Sequence, residues 1–159
     1  MNGMRPRREK NIRGEGCDVV NRQRRVPISV DRYRTLLHRL LIVTGQAPAL
    51  VGLTFVSDCQ IRRLNCAYRE VDRSTDVLAF PVVSGRPIRS QPPVLGDIVI
   101  SIQTAKRQAP GDSARDLSRE CIRLLIHGYL HLLGYDHERS PREARRMQRM
   151  ERCLATLLT

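Results

Sequence analysis

Three of the four histidines in this chain lie within the segment IHGYLHLLGYDH, residues 126–137. His127 and His131 are four residues apart, so on a helix their side chains leave the same face. Gly134 can end that helix by adopting a positive φ, after which the chain can bring His137 back toward the pair. Three neutral imidazoles that converge on one point make a good zinc site. The spacing therefore predicts that these three histidines bind one zinc ion.

The ligand set favours a catalytic zinc site over a structural one. Structural zinc normally has four protein ligands, often cysteines, whereas catalytic zinc commonly keeps three and leaves the fourth coordination position to water. The histidine segment contains no cysteine. Asp136 could be a fourth ligand, but as the neighbour of His137 it is better suited to orient a ligand through a hydrogen bond. We therefore expect an open metal site, which is suited to hydrolysis.

The same histidine spacing occurs in metzincin proteases, in which a glutamate directly after the first histidine is the general base. Here that position is Gly128. Loss of a general base typically costs about 10²–10⁴-fold in rate. Peptide hydrolysis is therefore disfavoured, whereas hydrolysis of a phosphodiester can rely more on charge neutralisation by a metal and a guanidinium group.

The elements that must position these histidines follow from the pattern of apolar residues and of helix and turn signals. The predicted strands cover 26–30, 49–56, 76–83 and 95–101. The first predicted helix ends at Gly45, and the second begins with a capping box formed by Ser57 and Gln60. Three more helices are predicted over 101–109, over 114–133 and from Ser140 onward. The last of these should present four residues to the core: Met147, Met150, Leu154 and Leu157. The order βαβαββααα predicts an α+β fold, in which a small mixed β-sheet packs against several helices in a single layered domain.

The charge and length of the chain limit its function and organisation. The chain has 159 residues, 28 Lys and Arg against 16 Asp and Glu, and a net charge of +12. Such an excess favours an anionic partner, above all nucleic acid, although a merely solvated basic surface is the other interpretation. The basic N-terminus lacks an apolar stretch, so we expect a flexible arm over residues 1–25 followed by one functional domain over residues 26–159.

The cysteines and the apolar runs indicate the cellular setting. The five cysteines form no C-x-x-C pair, and their number is odd. We therefore expect no disulfide framework and a reduced, cytoplasmic location. Cys121 and Cys153 fall on apolar helical positions, which predicts that both are buried. No apolar run approaches the roughly 18–20 residues that cross a bilayer, so no membrane partner is expected.

Four sequence blocks, in order, resemble the YbeY family of zinc-dependent endoribonucleases that mature rRNA. The blocks are LNCAYR (64–69), STDVLAFP (74–81), LGDIVIS (95–101) and HGYLHLLGYDH (127–137), followed by the pair Met147 and Glu151. The resemblance implies a single-strand-specific metalloendoribonuclease that acts in 16S rRNA 3′-end maturation and in ribosome quality control. It implies single-stranded rRNA and the ribosome or its assembly proteins as partners, and no small-molecule cofactor.

The resemblance also implies the site residues, with His127, His131 and His137 as zinc ligands and Arg69 as the functional arginine. A guanidinium is a planar fork of donors that matches phosphate oxygens and stays charged at working pH. The residues alone leave open that Arg69 forms a salt bridge with a nearby acid, Glu70 or Asp72.

The sequence also contains features that depart from the family pattern or leave the function open. After the histidine segment, where the family usually has acidic residues, this chain has ERSPREARRMQRM, residues 138–150. No general base is assigned. Two alternatives to a nuclease stay open: a zinc-containing ribosome-assembly factor that binds rRNA without cutting it and, less favoured, an atypical metallopeptidase.

Overall fold

The computed structural model describes residues 16–82 and 91–158. Its elements are β1 (Cys17–Asn21), α1 (Val30–Val43), β2 (Leu50–Val56), α2 (Asp58–Arg69), β3 (Val77–Pro81), β4 (Val94–Ser101), α3 (Ile102–Gln108), α4 (Ala114–Leu132) and α5 (Pro141–Leu158). The strands form one sheet in the order β1-β2-β4-β3. Strands β1, β2 and β4 are parallel, and β3 is antiparallel to β4. The predicted α+β class with a mixed sheet is confirmed, and the elements alternate as predicted, although the first strand is a different segment.

The first strand is not where the sequence predicted it. Strand β1 covers Cys17–Asn21 and pairs in parallel with β2, so that Cys17 lies opposite Val51. The prediction of a flexible arm over residues 1–25 therefore extended too far along the chain, because Cys17–Asn21 form a strand of the sheet. Residues 1–15 lie outside the described residues.

The segment 26–30 does not form a strand, because the backbone of Val26 is bonded to a side chain and Pro27 has no N–H to donate to a neighbouring strand. The side chain of the buried Gln23 accepts a hydrogen bond from the Val26 N–H at 3.0 Å and donates to the Val26 carbonyl at 2.7 Å. Ser29 is the N-cap of α1, and its hydroxyl accepts a hydrogen bond from the Arg32 N–H at 3.4 Å.

Helix α4 lies in the main hydrophobic core, packed against strands β3 and β4 and helices α3 and α5. Its residues Leu125, Ile126 and Tyr129 are almost completely buried, in one cluster with residues of α1, α5 and the sheet. The hydroxyl groups of Tyr129 and Thr44 are 2.7 Å apart and join α4 to the end of α1. A smaller cluster, formed by Val56, Ile61, Leu78 and Val99, lies beneath α2. Helix α4 is therefore held on several sides.

A glycine allows α4 to approach the sheet closely. A Cβ atom added at Gly128 would lie 2.8 Å from Cγ2 of Ile98 and 3.2 Å from Cγ2 of Val77. Real Cβ atoms do not approach other heavy atoms to 2.8 Å, and Ile98 is fully buried on a central strand. The absence of a side chain at 128 therefore sets the distance between the sheet and the helix that carries His127 and His131.

The last helix differs from its prediction in one core residue. Met147 and Leu154 are buried as predicted, and Met150 packs partly against the core. Leu157 is 48% exposed, and Leu158 is buried in its place.

Within the two described ranges, no helix combines the length and the apolar composition that crossing a membrane would require.

The cysteines divide into two buried and three exposed thiols. All five are free, as expected for a chain without a disulfide framework. Cys17 and Cys121 are buried, and burial raises the pKa of each thiol to about 11. Cys153 is exposed, so its predicted burial was wrong. It lies one position before the buried Leu154, on the side of α5 that the core does not reach.

We expect three thiols of the folded protein to react quickly with a thiol reagent at pH 8, and all five to react in denaturant. A thiol with a pKa of about 11 is only about 0.1% thiolate at pH 8, and the thiolate is the reactive form. Absorbance of the released chromophore counts the thiols. Replacing Cys59, Cys66 and Cys153 with serine should remove the fast phase, and a remaining fast thiol would contradict this burial.

Candidate metal centre

The three histidines of the predicted zinc site converge in the structure. His127 and His131 project from α4 with ring centroids 4.7 Å apart, and the ring of His137 lies 5.3 Å from each. One nitrogen from each ring lies within 4.8 Å of the others, as a shared metal ion requires. The Nε2 atoms of His127 and His131 are 3.1 Å apart. The three histidines are therefore brought together as predicted and could hold a metal ion.

The turn that brings His137 to the pair is fixed by backbone hydrogen bonds. Gly134 has a φ of 88°, in the left-handed region. Its N–H donates to the His131 carbonyl at 3.0 Å, and the N–H of Tyr135 donates to the Leu130 carbonyl at 3.0 Å. These two bonds form a Schellman motif, which ends α4. Gly134 thus ends the helix as predicted and returns the chain toward the histidine pair.

A carboxylate from α5 orients the first histidine. Nδ1 of His127 lies 2.7 Å from Oε1 of the half-buried Glu151. When Nδ1 carries the proton and donates it to this carboxylate, Nε2 keeps a free lone pair for a metal ion. Such carboxylate–histidine pairs are common at zinc sites, where they fix the orientation of the ring. The sequence placed Glu151 in a family pattern but did not predict this contact, because the two residues are 24 positions apart.

The surroundings of His131 favour its neutral form. Burial, followed by the charges that His127 and His137 would carry, lowers the pKa of His131 below its ordinary value. A histidine must be neutral to bind a metal ion, so this shift reduces competition from protons. Within the described ranges, no cysteine or carboxylate joins the cluster as a fourth member. The donor set therefore fits a zinc ion with three protein ligands.

Asp136 does not belong to the cluster, although it lies beside His137. Its Oδ1 accepts a hydrogen bond from the N–H of Glu138 at 2.9 Å, and its Oδ2 lies 3.4 Å from Nε of Arg139. Asp136 therefore supports the turn around His137 through the backbone and not through the imidazole ring.

A cleft of about 420 Å³ opens above the histidines and contains the predicted functional arginine. Its lining residues come from four parts of the chain: Arg69, Thr75, Asp76, Val77, Ala79, His127, Gly128, His131, Asp136, His137 and Glu138. Arg69 is the last residue of α2 and is exposed. Among the described residues, no carboxylate forms an ion pair with it; Asp72 pairs instead with Arg62 at 2.8 Å. The guanidinium of Arg69 is thus available to a ligand in the cleft.

The turn after Arg69 is fixed by a buried asparagine. Asn65 is 4% exposed, and its Nδ2 donates a hydrogen bond to the Arg73 carbonyl at 2.9 Å. Glu70 ends α2 in the left-handed region with a φ of 58°, which is uncommon for a residue other than glycine. Its N–H donates to the Cys66 carbonyl at 3.2 Å. This role of Asn65 was not predicted from the sequence, since the bond spans eight residues.

Asp76 both orders the loop before β3 and faces the cleft. Its Oδ1 accepts a hydrogen bond from the Val77 N–H at 2.8 Å. Its Oδ2 lies 4.0 Å from Nη2 of Arg123, which is held by the buried Glu120 at 2.6 Å. The cleft therefore contains carboxylates as well as a guanidinium.

Comparisons with known proteins give one consistent family. The family model described as "Endoribonuclease YbeY" matches residues 18–158. "Endoribonuclease YbeY" of Geobacter metallireducens is 41% identical over 141 residues, which cover 88% of this chain and 93% of the relative. "Endoribonuclease YbeY" of Moorella thermoacetica is 39% identical over 150 residues, covering 87% and 95%.

One solved structure has a similar fold. The solution structure of TM1509 from Thermotoga maritima superposes with a TM-score of 0.57 at 24% identity and covers 89% of this chain and 88% of that one. At this identity the likeness concerns the fold alone.

The protein should bind one equivalent of zinc, and replacing Glu151 with glutamine should weaken zinc binding by about 10–100-fold. Glutamine keeps the size of the side chain but removes the charge that orients and polarises His127. Competition with a chromophoric chelator at pH 7 measures the affinity. His131→Ala should abolish tight binding. Glu143→Gln is the matched control, because Glu143 lies on the same helix and pairs with Arg146. Equal zinc affinity for Glu151→Gln and the wild type would refute the role of Glu151.

Proposed function

Because this chain belongs to the YbeY endoribonuclease family, we propose that it is a zinc-dependent endoribonuclease that hydrolyses phosphodiester bonds in single-stranded RNA. The observation that carries the proposal is that Arg69 and the three-histidine cluster line one cleft. In this proposal His127, His131 and His137 hold the zinc ion, and Arg69 binds the phosphate.

A bound cation would strengthen the attraction of the cleft for phosphate. Asp76, Asp136 and Glu138 line the cleft together with Arg69. Two of these carboxylates lie near a guanidinium, since Arg123 is 4.0 Å from Asp76 and Arg139 is 3.4 Å from Asp136. A phosphate in the cleft would therefore meet charges of both signs, and Arg69 would be its direct partner. A divalent cation held by neutral histidines adds positive charge to the cleft without adding negative ligands.

In this proposal, different residues of the chain bind the substrate and hold the metal ligands in position. When bound, zinc supplies Lewis-acid stabilisation of the charge that develops on the phosphate oxygens. Arg69 donates paired hydrogen bonds to the remaining oxygens, and the turn held by Asn65 fixes the direction from which it does so. Glu151 holds the ring of His127, and the Gly134 turn holds His137. Each group is positioned before the substrate arrives, which is the condition for electrostatic stabilisation of a transition state.

The proposed substrate is ribosomal RNA, and the proposed setting is the cytoplasm. Family membership supports a role in rRNA processing, and we extend it to maturation of the 16S rRNA 3′ end and to ribosome quality control. The net charge of +12 suits a partner with a phosphate backbone, such as a ribosomal particle. The ribosome or its assembly proteins would then deliver the RNA end to the cleft.

Two other functions are less well supported. A metallopeptidase of the metzincin type needs a glutamate at position 128, where even a Cβ would lie 2.8 Å from Ile98. A ribosome-assembly factor that binds rRNA without cutting it would need neither the guanidinium in the cleft nor an open position at the metal. The presence of Arg69 beside the histidine cluster favours the nuclease.

The zinc-loaded protein should cleave a single-stranded RNA that carries the 16S 3′-end sequence, and should leave the same sequence intact in a duplex. Gel analysis of end-labelled RNA measures the rate and maps the site. Chelation should stop cleavage and added zinc should restore it. His131→Ala, shown to be folded by circular dichroism, should lose at least about 100-fold in rate, as expected when a metal ligand is removed. Equal cleavage by this variant would indicate a contaminating nuclease, and binding without cleavage would support the assembly factor.

Replacing Arg69 with alanine should lower kcat by about 10²–10³-fold, the range found when one preorganised donor to a developing anion is removed. Arg69→Lys should recover part of this loss, because lysine restores the charge but not the paired hydrogen bonds. Single-turnover cleavage with saturating enzyme separates this effect from RNA binding. Arg63→Ala is the matched control, since Arg63 is exposed on the same helix outside the cleft. A comparable loss for Arg63→Ala would show that only the overall charge matters.

A further inference from the structure

Helix α5 presents a row of arginines on the side that faces away from the core. Its arginines are all exposed: Arg142, Arg145, Arg146, Arg149 and Arg152. Four of them, at positions 142, 145, 149 and 152, are separated by three or four residues and so share one face of the helix. We call these four residues the arginine stripe. The buried residues Met147, Leu154 and Leu158 lie on the opposite side.

The carboxylates of α5 do not neutralise the arginine stripe. Glu143 lies 3.6 Å from Arg146, which also lies 5.0 Å from the centre of the Tyr135 ring. Glu151 is bonded to His127. Among the described residues, no carboxylate lies within ion-pair distance of the four stripe guanidinium groups. By contrast, Arg62 and Arg107 elsewhere on the surface each have a carboxylate partner at 2.8 Å.

Uncompensated like charges at these spacings repel one another and weaken the helix. A polyanion along the stripe would remove that repulsion. The first and last arginines of the stripe are ten positions apart, or about 15 Å at 1.5 Å per residue, so the stripe could contact several consecutive phosphates. The stripe itself presents four guanidinium groups and no apolar side chain. Protein interfaces usually need an apolar or aromatic anchor at their centre, so this surface fits a phosphate backbone better than an acidic protein.

The stripe lies on the helix that also supports the metal centre. Helix α5 begins four residues after His137, and Glu151, one residue before the stripe's Arg152, contacts His127. We propose that the arginine stripe is a second RNA contact, which holds the phosphate backbone of the strand beyond the segment in the cleft. This inference rests on the proposed function for the identity of the ligand, but it concerns binding and not cleavage.

The test measures RNA binding as a function of salt. Fluorescence anisotropy of a labelled single-stranded RNA of about 20 nucleotides gives Kd for the full-length, zinc-loaded protein. Each phosphate contact contributes about 0.7 to the slope of log K against log salt for single strands. The combined variant Arg142→Gln, Arg145→Gln, Arg149→Gln and Arg152→Gln should therefore lower the slope by about 3 and raise Kd at least about tenfold at 0.15 M salt.

A matched variant controls for the loss of four charges. Arg24, Arg63, Arg115 and Arg119 are exposed arginines away from α5, and replacing them with glutamine removes the same charge. This variant should change the slope by less than about 1. Thermal melts followed by circular dichroism should show that both variants are folded. Equal slope changes in the two variants would mean that the stripe is an ordinary solvated basic surface, and would overturn the proposal.

Two further measurements separate the stripe from the cleavage site and from other polyanions. The stripe variant should cleave a very short RNA, which reaches only the cleft, at the wild-type rate, while KM for the long RNA rises. If the wild type cleaves no RNA but the slope changes as expected, the nuclease proposal fails and the stripe proposal stands. If poly-glutamate binds with the same affinity as RNA and the same dependence on the stripe, the assignment of the stripe to RNA is wrong.

Discussion

The close packing of α4 against the sheet is the constraint on which the site depends. Two of the three converging imidazoles project from this helix, so any shift of α4 would move both. Gly128 lets the helix approach Ile98 and Val77 more closely than any side chain would allow. The buried Tyr129 then ties α4 to α1 through Thr44. Protein interiors are close-packed, so a helix held in this way has little freedom to move.

The other site residues lie on or directly beside turns, and each turn is held by hydrogen bonds to the backbone. The Schellman motif at Gly134 places His137, and the bond from Asn65 to the Arg73 carbonyl fixes the chain after Arg69. Asp76 is held by the N–H of the residue that follows it. Loops carry functional groups well when a rigid scaffold positions them. The cleft is thus formed by one rigid helix and three turns, each of which is held by a hydrogen bond between nearby residues.

The sequence predicted those features that depend on neighbouring residues. The capping box at Ser57, the stop at Gly134 and the pairing of His127 with His131 follow from local spacing, and all are present. Strand β1 was missed because a parallel strand is specified by its partner, β2, which lies about 30 residues further along the chain. The contact of Glu151 with His127 and the place of Arg69 in the cleft depend on how distant elements pack. Local periodicity carries no information about such contacts.

The distribution of charge resolves a conflict between the two ligands that a metal-dependent nuclease must bind. A field that attracts a metal cation repels a phosphate, and the reverse is also true. Here the immediate surroundings of the histidines contain Glu151 and the carboxylates of the cleft, which favour a cation. Positive charge lies on Arg69 in the same cleft, on Arg123 beside Asp76, and on the exposed face of α5. Screening limits the fields of exposed charges to about 8–10 Å at moderate salt, so the groups in direct contact with the imidazoles have the largest effect on metal binding. The excess of arginine over the whole chain therefore need not weaken metal binding, because the charge in direct contact with a ligand ring is the carboxylate of Glu151.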